Sequence, residues 1–495
     1  MYYGKKKTII ISIVIVLLVI ILAVGGLFLF LATDLFKSNE TLFLKYVANQ
    51  YNQLMSGTTN VQSQDILNAE EQMPYETNAT LTFNYEDADG ESLKELEKAK
   101  INIITREDKK NEKQYANLKI DYDKQNLIDL HYAKSDNIYA LKWEEIVLKR
   151  FVGIKNEDLK EFAQKLGVAD TQDIPNEIDF DKYSEILEIT EQEKQHIIGT
   201  YSEVLLNNIS EEKYTKQKDM AIVKNGVNYN TTAYRLDLSE QEIRNIEIKI
   251  LETLKQDSIT LNLITTKAKL IDLSEEYTTI NGLTQIVEES IQEIMAEEID
   301  NSKGLSIVVY EYEGQAIQTE IILKNEIKLT ITSEIENNVK TTNVQIFNLS
   351  ENEDYGTVNI KLVTTQTENS TVVNVDMNID NEQTISITAS NVGLASTGRV
   401  QTTMAVSVVN EDGETITVDY DAETKYGELT EEIVDLDKTN CVILNNYSSR
   451  NLKSVLTSIG NRLSYVFEQK MKIIIPETTE EVVPETENTN QDNNI

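Results

Sequence analysis

The feature that most constrains the fold is a two-residue alternation between Leu305 and Tyr420, which is strict in several runs. Apolar residues take every second position, and mostly Thr, Asn, Ser, Asp and Lys lie between them, as on a strand with one buried face. Turn-forming residues recur about every 12–15 positions, which predicts roughly nine antiparallel strands in an extended curved sheet or open half-barrel. The clearest alternating runs are Val358-Ile360-Leu362, Val373-Val375-Met377-Ile379, Ile385-Ile387-Ala389, Met404-Val406-Val408 and Ile416-Val418-Tyr420.

The segment after this meander predicts a covering helix at about 447–470. Its apolar residues recur at helical spacing. A helix that follows such a sheet is well placed to lie on the apolar face of that sheet. We therefore predict that residues 301–472 form a long antiparallel sheet with a C-terminal helix. Residues 473–495 are acidic and carry no basic side chain, so they predict a disordered tail.

The stretch 73–300 predicts an α+β domain. Residues 76–150 contain short strand patterns bounded by polar turns, which favours an antiparallel meander. Asn225-Gly226 predicts a hairpin, and Ser239 with Glu242 three residues later predicts a capped helix. Further helices are predicted at 156–166, at about 190–209 and at about 282–300.

Residues 8–32 are an apolar run without a charged residue. About 20 apolar residues in a helix span a bilayer core of about 30 Å, so the run predicts a transmembrane signal-anchor. Three lysines at positions 5–7 place residues 1–7 in the cytoplasm and the rest of the chain outside. The run is longer than the roughly 7–15 apolar residues typical of a cleaved signal peptide, which favours an uncleaved anchor. Residues 33–72 predict a juxtamembrane helix.

The charge of the chain excludes some classes of partner. The formal net charge is −37, from 83 acidic and 46 basic residues. Nucleic-acid binding needs a basic surface, so we expect no nucleic-acid partner. The only cysteine is Cys441, so the chain forms no intrachain disulfide.

We find no motif that predicts a catalytic, cofactor or metal site. His131 and His196 are the only histidines, too few for a histidine-based metal cluster, and no Gly-x-Ser-x-Gly elbow supports serine catalysis. Cys441 precedes three apolar residues and is expected to be a buried, inert thiol. Residues 87–91 and 410–414 invite a calcium-binding interpretation, but both are expected to be hairpin turns because the EF-hand spacing is missing.

Two stretches resemble strand pairs and strand–helix units of Gram-positive exported proteins: HYAKSDNIYALKWEEIVLKRFVGIKN (131–156) and YRLDLSEQEIRNIEIKILETLKQD (234–257). Together with the order of strands and helices, they resemble the half-barrel of bacterial lipoprotein-carrier and lipid-binding lipoproteins. That resemblance implies a lipid-holding fold, although the chain lacks the acylated cysteine of those proteins. The stretch TDLFKSNETLFLKY (33–46) resembles the juxtamembrane region of an uncharacterised clostridial membrane-anchored family. None of these stretches assigns a site residue.

These observations predict an α+β fold class, with an N-terminal transmembrane helix followed by antiparallel β-meander domains that are half-barrel-like and carry covering helices. The expected function is a non-enzymatic binding or scaffold protein of a bacterial envelope, anchored in the cell membrane with its C-terminal part extracellular. Its expected partners are the membrane (through 8–32) and another envelope protein, a cell-wall polymer or a hydrophobic ligand. A lipid- or lipoprotein-handling factor and a carboxylate-based hydrolase are the alternatives.

Overall fold

The structure is a computed structural model that describes residues 38–474 apart from 56–60, 88–93, 148, 169–170, 172–173, 179–188, 225, 271–273, 350–356 and 381. Within these residues the chain forms eleven α-helices and an 18-stranded, mostly antiparallel sheet. The helices are α1 (Asn39–Met55), α2 (Val61–Gln72), α3 (Lys94–Glu97), α4 (Glu144–Val147), α5 (Leu159–Leu166), α6 (Glu191–Asn208), α7 (Glu240–Gln256), α8 (Ser258–Leu270), α9 (Glu275–Thr278), α10 (Ile280–Ala296) and α11 (Ser449–Ile474).

The strands follow the chain with short connections in most places. They are β1 (Tyr75–Glu86), β2 (Ala99–Asp108), β3 (Lys113–Tyr122), β4 (Gln125–Ser135), β5 (Ile138–Trp143), β6 (Phe151–Lys155), β7 (Tyr214–Lys224), β8 (Val227–Ser239), β9 (Gly304–Tyr312), β10 (Gln315–Leu323), β11 (Ile327–Glu336), β12 (Val339–Asn348), β13 (Val358–Thr367), β14 (Ser370–Ile379), β15 (Gln383–Leu394), β16 (Arg399–Val409), β17 (Thr415–Tyr426) and β18 (Cys441–Ile443).

Backbone contacts divide the chain into two units. Unit 1 contains the described residues of Met1–Tyr75, Leu81–Lys94 and Ile178–Glu428. Unit 2 contains those of Glu76–Thr80, Glu95–Glu177 and Leu429–Ile495. The two units therefore interleave along the chain, whereas the predicted domains are consecutive segments.

In unit 1, each strand from β9 to β17 pairs antiparallel with the next, which confirms the predicted nine-strand meander. Turn-forming residues connect paired strands, as at Asn337 and Asn338. Asn337 and Asn338, between β11 and β12, both have positive φ (48° and 65°), the backbone that a two-residue hairpin requires. The predicted hairpin at 225–226 is also confirmed, since Lys224 of β7 pairs with Val227 of β8.

Helices bury one face of the first strands of unit 1. Helix α1 packs across β7 to β11, and α7 packs on β8 and β9. Phe43 of α1, Leu236 of β8 and Val309 of β9 are each fully buried in this core. Helix α7 begins with the predicted capping box, in which Ser239 and Glu242 exchange hydrogen bonds. The backbone N–H groups of Ser239 and Glu242, at the N-terminal end of α7, thereby have hydrogen-bond acceptors.

In unit 2, β2 to β6 form a second antiparallel meander, and the short β18 adds to β6 in parallel. This arrangement confirms the predicted meander within 76–150. The core beneath it includes Phe151 of β6 and Cys441 of β18. Gly153 fits here because it has no Cβ, which would lie 2.8 Å from the Cβ of Ala140.

The predicted helix at 447–470 forms, as α11. It belongs to unit 2 and packs against α4 and α5. Arg462 donates to the carbonyl oxygen of Glu145, and Lys470 Nζ lies 2.7 Å from Glu145 Oε1. These polar contacts fix the position of α11 along unit 2.

The predicted fold class is also corrected. The described residues form an 18-stranded, mostly antiparallel sheet rather than half-barrel-like domains behind a membrane-spanning helix. Among these residues, no helix combines the length and the apolar character needed to cross a bilayer. This finding contradicts the predicted transmembrane character and the predicted single-pass localisation in the cell membrane. The predicted signal-anchor at 8–32, the cytoplasmic segment 1–7 and the tail from 475 onward lie outside the described residues.

Candidate functional site

The long meander of unit 1 places apolar side chains in three parallel rows across β13 to β17. The strand register aligns them because every second residue faces the same side. Fourteen of the fifteen positions are apolar, and we call this surface the apolar face. The rows are Ile360-Met377-Ile385-Val408-Ile416, Leu362-Val375-Ile387-Val406-Val418 and Thr364-Val373-Ala389-Met404-Tyr420.

The apolar face continues the side of the sheet that helices cover elsewhere in unit 1. There, Ile307 and Val309 of β9 are 2% and 0% exposed. On β16 and β17, by contrast, Met404, Val408 and Ile416 are 40%, 38% and 47% exposed. Other members of the rows are partly buried, as expected of side chains that touch only their neighbours within a sheet. A contiguous exposed apolar surface is uncommon on a folded protein and makes this face the candidate site.

The opposite side of the same strands is polar. Ser386 donates to Asp376 Oδ1 at 3.0 Å, and Thr388 donates to Asn374 Oδ1 at 3.0 Å. These cross-strand hydrogen bonds lie on the polar side of the sheet that the alternation predicts. The two faces of β13 to β17 therefore differ sharply in chemistry.

A buried polar cluster lies at the β12 end of the rows. Lys340 of β12 is in register with Thr364 of the third row, and Thr342 is in register with Leu362 of the second row. Thr342 and Ser333 lie with their hydroxyl oxygens 3.2 Å apart, and Gln50 of α1 donates to Ser333 Oγ at 3.2 Å. Lys340, Thr342, Ser333 and Gln50 are all at least nine-tenths buried.

Lys224 of β7 supports this cluster from the side. Strand β10 pairs with β11 only as far as Thr332, so the carbonyl oxygen of Ser333 is left outside that ladder. Lys224 Nζ donates to this oxygen at 2.8 Å and lies 3.5 Å from Glu334 Oε2. The lysine thus supplies a hydrogen-bond donor to a backbone oxygen that β10 does not reach.

A cleft of about 470 Å³ elsewhere in unit 1 contains His196 and Asp257. His196 Nε2 lies 2.9 Å from Asp257 Oδ1, which also accepts the backbone N–H groups of Ile259 and Thr260. Burial would raise the pKa of Asp257, but hydrogen bonds from Thr260 and His196 outweigh it and lower the pKa. A general acid needs the opposite shift, and these bonds are those of a residue that caps helix α8.

A second polar network lies in unit 2. Glu76 of β1 and Arg106 of β2 are 2.6 Å apart and almost fully buried, and Thr430 donates to the same carboxylate at 2.6 Å. The guanidinium of Arg106 lies 5.0 Å from the ring centre of Tyr115. This arrangement satisfies both buried charges, as a structural ion pair requires.

His131 lies in β4 among hydrogen-bonding side chains. Its Nδ1 lies 2.8 Å from Tyr115 Oη, and its Nε2 lies 3.2 Å from Asp129 Oδ1. Burial lowers the pKa of His131, with a further contribution from Lys142. The neutral imidazole is therefore favoured in a chain of side-chain hydrogen bonds.

The remaining residues that the sequence singles out are structural where they are described. Cys441 is 3% exposed, and burial raises the pKa of its thiol, which confirms the predicted buried cysteine. Asn410 caps the predicted turn before β17 by accepting the N–H groups of Asp412 and Glu414. Residues 88–91 of the other turn lie outside the described part. Among the described residues, no group of three or more His, Cys, Asp or Glu side chains could hold a metal ion.

The feature that stands out in the described residues is thus the apolar face of β13 to β17, with a buried polar cluster at its β12 end. The chain belongs to a family of unknown function (DUF6583), which matches residues 1–467. No curated protein matches it.

Three solved structures are distant likenesses of the chain. One, described as "Asymmetric conductivity of engineered proteins", has a TM-score of 0.20 and 8% identity, covering 71% of this chain and 99% of that chain. Mutants of the porin of Rhodopseudomonas blastica have TM-scores of 0.19 and 0.18 and identities of 9% and 8%. They cover 71% and 72% of this chain and 99% and 100% of their own. TM-scores and identities this low give no information about the function of this protein.

Proposed function

We propose that the protein is a non-enzymatic binding protein that holds a long-chain hydrophobic ligand on the apolar face of β13 to β17. The observation that carries the proposal is the contrast in exposure along one side of the sheet. Val309 of β9 is 0% exposed, whereas Val408 of β16 is 38% exposed. Leaving apolar area in water costs about 25 cal/mol for each Å², so a ligand that covers the rows gains free energy in proportion to the area covered.

The shape of the surface favours an extended ligand. Neighbouring strands lie about 4.8 Å apart, so each row from β13 to β17 is about 19 Å long. Half of a bilayer core of about 30 Å, which is the length of one acyl tail, is about 15 Å. An acyl chain fits along a row with its whole length in apolar contact.

A carboxylate-based hydrolase has less support. Such an enzyme needs a carboxyl group of raised pKa beside a second carboxylate in a cleft. In the cleft of unit 1, the pKa of Asp257 is lowered, and the carboxylate accepts hydrogen bonds from Thr260 and His196. Glu252 at the same cleft lies 2.6 Å from Lys249.

The test is organic extraction of the purified full-length chain, followed by mass spectrometry of the extract. We expect long-chain lipid in the extract of the native protein. The Val406→Glu variant places a charge in the middle row and should lose the lipid. Ser407→Glu places the same charge on the next residue of β16, which faces the polar side, and should retain it.

Two outcomes would refute the proposal. One is an extract without lipid, together with no uptake of an added long-chain probe. The other is a native dimer in sedimentation that Val406→Glu dissociates, because a second copy of the chain would then cover the apolar face. Matched thermal unfolding of Val406→Glu and Ser407→Glu shows that any loss of lipid comes from the altered face and not from unfolding.

A further inference from the structure

Helix α11 of unit 2 exposes a stripe of apolar side chains. Leu456, Leu463 and Phe467 are 38%, 43% and 61% exposed. At about 100° per residue they lie within about 40° of one another around the helix axis, so they form one stripe. A Cβ added at Gly460, which lies at the edge of the same stripe, would meet no atom within 4 Å. Among the described residues this stripe is therefore largely open, whereas Leu452 on the neighbouring side of α11 is fully buried.

The charge of α11 is opposite in sign to that of the whole chain. The helix carries five basic residues and one acidic residue, whereas the formal net charge of the chain is −37. Two of the basic residues bond to Glu145 of unit 2. Lys453 lies three residues before Leu456 and thus beside the stripe, and Arg450 lies three residues before Lys453. An occupant with acidic groups at this end of the stripe gains electrostatic energy, whereas a second copy of α11 would bring further positive charge.

An acidic segment follows α11 directly in the sequence. Residues 475–487 read IPETTEEVVPETE, with five acidic residues, no basic residue and two adjacent valines at 482–483. These residues lie outside the described part of the chain. A segment of this composition cannot bury enough apolar surface by itself, so its valines gain apolar contacts only from another surface. The segment thus offers both kinds of group that the stripe and its flanking cations would bind.

The segment is long enough to reach the stripe. Helix α11 rises about 1.5 Å per residue, so Gly460 lies about 21 Å and Lys453 about 32 Å before the end of the helix. An extended chain advances about 3.3 Å per residue. A chain that turns back at Pro476 brings Val483 about 23 Å and Glu485 about 30 Å back along the helix. The valines then lie level with the stripe, and Glu485 lies level with Lys453.

We propose that residues 476–487 fold back along α11, with the two valines on the stripe and Glu485 beside Lys453. The stripe is then a docking surface whose occupant is an acidic segment of the same chain. An external partner of this surface has to present the same chemistry, apolar side chains beside carboxylates, and has to displace the segment. This inference concerns unit 2 and does not depend on the ligand proposed for unit 1.

The experiment measures disulfide formation in the full-length chain. One variant combines Gly460→Cys, at the stripe, with Val483→Cys. Its matched control combines Ser458→Cys with Val483→Cys, because Ser458 lies about 160° around the helix from Gly460. We expect the first pair to form an intrachain disulfide at least about tenfold faster under mild oxidation, because docking raises the effective concentration of one thiol at the other. The native Cys441 is 3% exposed and is the same in both variants.

The contribution of charge is tested in the first of these variants. Adding Arg450→Glu and Lys453→Glu reverses both charges beside the stripe, so the rate of disulfide formation should fall toward that of the control. Without these two changes, high salt should also lower the rate, because salt screens exposed charges. A rate that neither the charge reversal nor the salt affects would overturn the pairing of Glu485 with Lys453.

The other occupants of the stripe give different results. Equal rates for the two cysteine pairs would overturn the docking of the segment. A disulfide between two chains would assign the stripe to a second copy and overturn the proposal. Equal rates together with binding of the native chain to phosphatidylglycerol vesicles would assign the stripe to a lipid surface, and this result would overturn the proposal as well.

The native chain provides a test without substitutions. The backbone amides of residues 477–487 should exchange with deuterium more slowly in the full-length protein than in a synthetic peptide of the same residues, because docking protects them. Mass spectrometry of the digested protein measures this exchange. Identical exchange in the protein and in the peptide would overturn the proposal, whatever the folding of the cysteine variants.

Discussion

The buried pair of Glu76 and Arg106 gives a prediction whose size follows from the structure. Glu76 is 1% exposed and accepts hydrogen bonds from Arg106, Thr430 and Asn78. Burial would raise the pKa of Glu76, but the bonds from Thr430 and Arg106 outweigh it and lower the pKa from 4.5 to about 2. Each pKa unit is worth about 1.4 kcal/mol, so the charged form of Glu76 stabilises unit 2 by about 3 kcal/mol.

The sign of the pH dependence follows from the direction of that shift. A carboxyl group whose pKa is lower in the folded state contributes its full stabilisation above pH 4.5 and loses it as the pH falls toward 2. The Glu76→Gln variant carries no such group and leaves Arg106 buried without its counter-charge. We expect it to lower the free energy of unfolding by about 3–5 kcal/mol at pH 7 and by much less near pH 2.

The assay uses the only tryptophan of the chain, Trp143, which lies in unit 2. Its fluorescence during urea unfolding reports the unit that contains the ion pair. The control is Glu431→Gln. Glu431 lies 3.0 Å from the same arginine, but its side chain is 75% exposed, so its loss should cost less than about 1 kcal/mol. The reasoning would be refuted by a cost of Glu76→Gln below about 1 kcal/mol at pH 7, or by a cost that stays constant down to pH 2.

Three further predictions concern packing and capping. Gly153→Ala should destabilise unit 2 by about 1–3 kcal/mol in urea unfolding followed by Trp143 fluorescence, because the new Cβ would lie 2.8 Å from Ala140 and 2.9 Å from the oxygen of Tyr139. Ser239→Ala removes a capping box and should cost about 1 kcal/mol in the free energy of unfolding, measured by circular dichroism, whereas Ser239→Asp should restore most of it. The Cys441 thiol should react with an aromatic disulfide reagent only in urea, since burial raises its pKa, and rapid labelling of the native protein would contradict the buried placement.

The long meander could be predicted because its signal is local. Alternation in each strand places the apolar residues on one side, and a slip by one residue would put them all on the other. The turn residues add independent evidence, as at Asn337 and Asn338, where two positive φ angles need residues that tolerate them. Pattern and turns therefore predict the number and the order of the strands, whereas the register of β11 to β17 comes from the structure.

The partner of a helix could not be predicted in the same way. The spacing of apolar residues in α11 shows that one side of the helix packs against something, but many surfaces satisfy that requirement. Its position in unit 2 depends on Arg462 and Lys470 reaching Glu145, which is more than 300 positions earlier in the chain. The burial of Glu76 could not be predicted for a similar reason, because its partner Arg106 lies on another strand.

The position of Lys340 could be predicted from the sequence only in part. Counting back in steps of two from Ile346 through Val344 and Thr342 reaches Lys340, so the alternation alone places it on the apolar side of β12. The sequence does not show that this end of the row is buried, because the burial also involves Gln50 of α1, which packs across β11. A lysine on the apolar side of a strand is ordinary at an open edge. Here the lysine is buried instead, while Met404, Val408 and Ile416 at the far end of the rows remain exposed.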